Sequence, residues 1–215
     1  MPNPIDYAQF AANAYSASED VVSPENRIPT PGGWTIMDVE GNTGVNNATG
    51  FLARAYENGG EIVITYAGTT WEEGMEALDW KNGNIPGATA SYLAKQIYDA
   101  AKFYLDVKQA NPDAAITFTG HSLGGGLASL MAVYFGKAAW TFDQAPFEQS
   151  ANSASVVSQL KQRLTADGYQ LPSEFSGYVA GETNLANEYL VKETYLEGEA
   201  LQYLGNPIFG GLIGA

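Results

Sequence analysis

The chain has 215 residues, 45% hydrophobic and 12% aromatic, enough apolar material for one domain with a sizeable core and too much for a disordered tail. Ten Lys plus Arg against 24 Asp plus Glu leave a formal charge of −14, a field that repels phosphate backbones and argues against nucleic acid as a partner. With no cysteine and one histidine, disulfides, thiolate zinc sites, thiol nucleophiles and His-rich metal centres are excluded.

The first six residues carry no basic region followed by an apolar one, so no N-terminal signal peptide is expected. No stretch approaches the roughly 18 apolar residues of a membrane span. Ile5, Tyr7, Ala8, Ala11, Ala12 and Tyr15 fall near one helical face and predict a short helix over 5–15. A Pro-rich loop follows through Pro24, Pro29 and Pro31. Segments 34–39, 50–56 and 61–66 read as three strands separated by Asn/Gly turns, which suggests a meander. The third has the nearly continuous apolar run of a strand covered on both faces. Aromatic and aliphatic residues over 88–108 recur at a helical period, and Asn111, Pro112 and Asp113 end that helix. A strand over 114–119, a helix over 123–136, a strand over 138–142 and a helix over 154–166 complete the predicted elements. This alternation argues for an α/β fold with a mostly parallel central sheet and helices on both faces. Segment 189–201 is ambiguous; if extended, it places Tyr195, Glu197 and Glu199 on one face. The whole of 1–215 is expected to form a single domain. The apolar, Gly-rich stretch 206–215 reads as a segment interrupted in mid-fold, so the natural protein is expected to continue beyond it.

One motif carries chemistry. Gly120-His121-Ser122-Leu123-Gly124 matches the pattern in which a nucleophilic serine sits on a tight turn between a strand and a helix. The flanking glycines permit a strained backbone and a close approach of strand to helix. Unpaired amides at the helix N-terminus stabilise the negative charge that grows during acyl transfer. Taken alone the five-residue pattern is weak, but here an apolar strand leads into it and a small-residue helix follows. Elbow geometry supplies one oxyanion donor from the residue after the nucleophile, the Leu123 amide. No cofactor is implied, since Gly124-Gly125-Gly126 lacks the Lys-Ser/Thr of a phosphate-binding loop. No EF-hand spacing or calcium-binding repeat occurs, although the abundant carboxylates leave calcium binding open.

The elbow and its surroundings resemble the fungal-type, or class 3, lipase family of the α/β-hydrolase superfamily. Residues 120–125 carry that family's Gly-His-Ser-Leu-Gly-Gly motif residue by residue. Strand 61–66 is followed by Ala67-Gly68-Thr69 where the family has Arg-Gly-Ser/Thr, so Gly68 and Thr69 match and Ala67 departs. The likeness spans roughly residues 60–145. It implies an α/β-hydrolase fold and a serine carboxylic ester hydrolase, a triacylglycerol lipase or phospholipase working through an acyl-enzyme on Ser122. Thr69 would be the second oxyanion donor. Segment 71–86, with Trp71, Met75, Leu78 and Trp80 among Glu72, Glu73, Glu76 and Asp79, lies where lipases carry a lid that opens in transient contact with a lipid surface. An ordinary surface helix explains it equally well.

A serine hydrolase also needs an imidazole base and an acid to orient it. The sole histidine, His121, adjoins the nucleophile and points into a different environment; in the resembling family this position is not the base. The family order is serine, acid, then histidine. The base is therefore expected from a continuation of the chain or from a second polypeptide, or else has been lost, and the 215 residues alone should hydrolyse esters feebly. For the acid, the resemblance favours Glu199, and Asp143 is the alternative, while a solvated run of Glu193, Glu197 and Glu199 is the default for such charges. A catalytically inactive binding or secretion-associated module is the competing function. Location stays open between export without an N-terminal signal and the cytoplasm.

Overall fold

The computed structural model describes residues 2–17, 28–68 and 87–195. Thr69, segment 71–86, Glu199 and segment 206–215 therefore lie outside the described residues. In chain order the elements are α1 (Pro4–Asn13), β1 (Thr35–Met37), β2 (Val45–Asn46), β3 (Phe51–Asn58), β4 (Glu61–Tyr66), α2 (Gly87–Ala110), β5 (Ala115–His121), α3 (Leu123–Phe135), β6 (Ala139–Phe142), α4 (Glu148–Ala151), α5 (Ala154–Ala166), α6 (Ser173–Ser176), α7 (Glu182–Asn187) and β7 (Val191–Thr194). Strand order is β1-β3-β4-β5-β6-β7, with β2 paired to β3. The first three neighbours are antiparallel, as the predicted meander requires, and β4 through β7 run parallel. Every parallel connection is a crossover through helix, which places helices on the faces of the sheet.

Burial divides by strand parity. On β4, Ile62, Ile64 and Tyr66 face α2 and α3, where Tyr66 and Phe118 stack at 6.1 Å and Tyr104 meets Phe135 at 4.3 Å between ring centres. Val63 faces the other way, into a cluster with Tyr7, Phe10, Trp34 and Tyr56 under α1. Both faces of β4 are thus covered, which accounts for its unbroken apolar run.

Helix α1 starts where its capping chemistry dictates. The Asn3 side chain accepts the Ile5 and Asp6 amides at 2.8 and 3.0 Å, Asp6 returns a bond to the Asn3 amide at 2.9 Å, and Pro4 occupies the first turn. The predicted inward face needs correction at two positions: Ile5 is 71% exposed and Ala12 is exposed too, whereas Phe10 is fully buried against Trp34 and Tyr56. Tyr7, Phe10, Ala11 and Ala14 repeat at a three-to-four-residue interval, and Ile5 falls just outside that stripe. Past Asn13 the chain tightens into a 3-10 turn, Ala14–Ala17, which delivers Tyr15 to the end of the sheet where β4 and β5 finish.

Segment 189–201, ambiguous in the sequence, is extended only over Val191–Thr194 within the described residues. None of the described helices is long and apolar enough to cross a membrane.

Candidate active site

Strand β5 ends at His121 and α3 begins at Leu123, so Ser122 alone makes the connection. Its φ of 55° and ψ of −127° lie where L-residues rarely sit, a strain of about 1–3 kcal/mol that the surroundings must impose. Three backbone hydrogen bonds impose it. The Ser122 amide donates to the Phe142 carbonyl at 3.1 Å, and the Ser122 carbonyl accepts the Gly126 amide at 3.1 Å and the Ala145 amide at 2.9 Å. Two glycines make the turn sterically feasible. A Cβ on Gly120 would stand 2.4 Å from the Gly124 carbonyl carbon, and one on Gly124 would stand 2.1 Å from the Tyr66 carbonyl oxygen. Neither gap admits a methyl group, so the Gly-x-Ser-x-Gly spacing follows from helix α3 pressing on the ends of β4 and β5.

All thirteen residues of α3 are buried, and its N-terminus lies at Ser122. The Leu123 amide, first in the helix, has no acceptor within it and carries the positive end of the helix dipole. The chain leaving β4 runs against the same point: a Cβ on Gly68 would meet the Ser122 Cβ at 3.3 Å and the His121 carbonyl oxygen at 3.1 Å. Thr69, the expected second donor, is the next residue and lies outside the described residues.

The alternation of β5 puts Thr117, Thr119 and His121 on the α1 side, where Thr117 and Thr119 bond to Tyr7. His121 follows them. Its side chain is exposed, its Nδ1 lies 3.5 Å from the Tyr15 hydroxyl, and it borders a groove of about 470 Å³ between α1 and the ends of β5, β6 and β7. Ala8, Ala11, Ala12, Tyr15, Phe142 and Tyr195 give that groove an apolar lining, with Asp143 on its rim.

The two candidate acids fare differently. Glu199 lies outside the described residues. Asp143 is buried and has a φ of 42°; Ser122 and Asp143 are the two non-glycine residues at positive φ among the described residues. The Asp143 amide donates to the Thr194 carbonyl at 2.9 Å, and segment 142–145 is the one that bonds the Ser122 backbone on both sides. Asp143 is thereby fixed beside the elbow.

One carboxylate departs from its expected role. Glu193, read in the sequence as part of a solvated run, sits opposite Thr141 on β7 and is half-buried, with Oε1 lacking a hydrogen-bond partner. Burial pushes its pKa up to about 7, and the Glu148 and Asp143 carboxylates add to the rise against hydrogen bonds from Tyr195 and Gln144. The β-period was the available signal, since an extended strand places Glu193 on the same face as the buried Val191.

The Tle-like phospholipase domain family matches residues 6–207. The chain belongs to that family. It is 36% identical over 99 residues to an extracellular phospholipase A1 of Serratia liquefaciens; the match covers 45% of this chain and 28% of that protein. Among solved structures, a lipase from Rhizopus microsporus var. chinensis aligns at 16% identity and a TM-score of 0.44, over 66% of this chain and 56% of the other. A fungal lipase in complex with an inhibitor aligns at 12% identity and a TM-score of 0.48, over 96% of this chain and 74% of the other. The described residues form a mixed sheet, parallel over β4 to β7 and flanked by helices, and the family to which the chain belongs is described as phospholipase-like.

Proposed function

We propose that this chain carries the acyl-transfer centre of a phospholipase-type ester hydrolase with Ser122 as nucleophile. The observation that carries the reading is the strained Ser122 backbone at the N-terminus of a fully buried helix, held there by the missing Cβ atoms of Gly120 and Gly124. Ser122 Oγ attacks the ester carbonyl carbon, its proton passes to a base, and the collapsing tetrahedral intermediate expels the alcohol, which takes that proton. Water then attacks the acyl-enzyme and releases the fatty acid. The Leu123 amide, joined by Thr69, stabilises the oxyanion; each such donor is worth about 2.7–4 kcal/mol. The groove lined by His121, the residue before Ser122, offers the acyl portion an apolar bed. Phospholipid is the favoured substrate class because both the family description and the name of the Serratia relative specify phospholipase.

The sequence holds one histidine, and its ring faces Tyr15 and the groove. In this reading the imidazole that takes the Ser122 proton comes from polypeptide outside the 215 residues, in the same chain or a second one. Asp143 or Glu199 orients it. An inactive binding module is the reading that gains if no such base exists.

A fluorophosphonate probe on the complete natural polypeptide tests the proposal. Stoichiometric labelling of Ser122, abolished in Ser122→Ala, together with fatty acid release from phosphatidylcholine vesicles, is the expected result; an unlabelled serine favours the binding module. The acids are separated by Asp143→Asn and Glu199→Gln. The one that orients the base loses about 10⁴-fold in kcat, while the other loses less than about tenfold.

A further inference from the structure

Tyr15 lies 107 residues from the nucleophile in sequence, yet its hydroxyl lies beside the elbow. The Gly68 amide donates to that hydroxyl at 3.1 Å, and the oxygen is 3.5 Å from His121 Nδ1. The same oxygen would lie 2.5 Å from a Cβ on Gly68, so glycine at position 68 is what admits the phenol so close. Around Gly68, therefore, the Tyr15 hydroxyl, the His121 carbonyl and the Ser122 Cβ converge within a few ångströms. The ring has its own seat, among Ala14, Leu52, Ala67 and Val45. Burial raises the phenol pKa, which keeps the proton on the oxygen and leaves it able to accept from Gly68 and donate to His121 at once.

We propose that Tyr15 is a positioning residue for acyl transfer: its hydroxyl ties down the Gly68 amide and so fixes the chain at the end of β4 relative to Ser122. The inference deepens the reading of Ser122 as nucleophile and rests on it. Two consequences follow from hydrogen-bond capacity. The Gly68 N–H is already committed to Tyr15, so it is not itself available as an oxyanion donor. Losing the phenol oxygen leaves the Gly68 amide without its acceptor next to the nucleophile, and a loop free to drift loses preorganisation, the property on which oxyanion stabilisation depends.

The test is Tyr15→Phe, which removes one oxygen and keeps the ring. Its control is Tyr7→Phe on α1, the helix that leads into the turn carrying Tyr15: the Tyr7 hydroxyl also makes a part-buried hydrogen bond, to Thr117 at 3.0 Å, but along β5 away from the elbow. Both variants and the parent are titrated with a fluorophosphonate on the complete polypeptide, and the rate of inactivation is separated from probe affinity. The expected result is an inactivation rate for Tyr15→Phe about tenfold lower, with probe affinity unchanged within about twofold, and a Tyr7→Phe rate equal to the parent. By NMR the Gly68 amide should exchange faster with solvent in Tyr15→Phe alone.

Equal inactivation rates in Tyr15→Phe and the parent overturn the proposal. So does a Tyr15→Phe protein that fails to fold while Tyr7→Phe folds, because the oxygen would then serve stability. Equal slowing in the two variants also assigns Tyr15 to the general packing of α1. An unlabelled parent, by contrast, overturns the reading of Ser122 itself, an outcome distinguishable from all of these.

Discussion

The elbow where β4 and β5 meet α3 and the rim where β6 and β7 end are built on opposite principles. At the elbow the constraint is backbone against backbone: no methyl group fits at Gly120 or Gly124, and the serine between them is forced to positive φ. At the rim the constraint is the burial of a charge: Glu193 is short of water, lacks a partner for one oxygen and also faces the carboxylates of Glu148 and Asp143. The first arrangement positions the proposed nucleophile at a cost in strain; the second crowds carboxylates beside it at a cost in desolvation. The two meet at segment 142–145, whose Phe142 carbonyl and Ala145 amide clamp Ser122 and whose Asp143 lies on the rim.

Breaking the elbow should have the largest effect. Gly124→Ala drives a methyl group to 2.1 Å from the Tyr66 carbonyl oxygen, and neither the sheet nor the buried α3 can yield by the ångström or more required. Urea unfolding should show a loss of at least about 3 kcal/mol, or the protein should not accumulate folded. Gly32→Ala, with nothing within 4 Å of the added carbon, should change stability by less than about 1 kcal/mol. Equal stability of Gly124→Ala and the parent would mean that α3 does not press on β4 as described.

The contrast also explains what was legible in the sequence. The elbow could be read because its sterics act between residues two apart, and a glycine-serine-glycine spacing records that directly. The parallel sheet could be read because β4, β5 and α3 each carry their burial pattern locally. The state of Glu193 is set first by burial, then by Tyr195 two residues on and by Glu148, Gln144 and Asp143, which are remote in sequence, and a run of glutamates looks the same whether or not water reaches it. By spacing alone Tyr15 belongs to a helical stripe. Its approach to Gly68 arises only once α1 has been laid across β5, a packing choice that no local pattern encodes. Ile5 was misplaced for a related reason: the face α1 buries is decided by the Phe10 contact with Trp34 and Tyr56, and hydrophobicity alone does not rank Phe10 above Ile5.

The rim can be tested through its pH dependence. In the folded protein Glu193 holds its proton up to about 7, against an ordinary value of 4.5, so between those values the native state binds more protons than the unfolded chain. Stability contributed by this residue is therefore greatest below about pH 4.5 and declines as pH rises to about 7, the reverse of the usual carboxylate trend. Glu193→Gln removes the charge and should stabilise the protein by about 1–2 kcal/mol at pH 8, a figure reduced from the full linkage value because solvent reaches part of the side chain. At pH 4 the variant and the parent should unfold at the same urea concentration. A gain equal at both pH values would trace to packing and would dissolve the electrostatic half of the comparison.

The smallest effect returns to the elbow and separates strain from chemistry. Ser122→Gly and Ser122→Ala both remove the Ser122 hydroxyl, the proposed nucleophile, but alanine keeps the Cβ that makes a φ of 55° costly and glycine does not. Glycine also gives the unfolded chain more freedom, which offsets part of the relief, so the expected net gain over the parent is about 1 kcal/mol. Ser122→Ala should stay within about 0.5 kcal/mol of the parent. The ordering of the two urea midpoints, with glycine above alanine, is the decisive readout. It would show that the fold gives up stability to hold a side chain at this point, as expected where a residue is kept for what its oxygen does. A glycine variant no more stable than the alanine variant would place the strain elsewhere and leave the positive φ of Ser122 without energetic consequence.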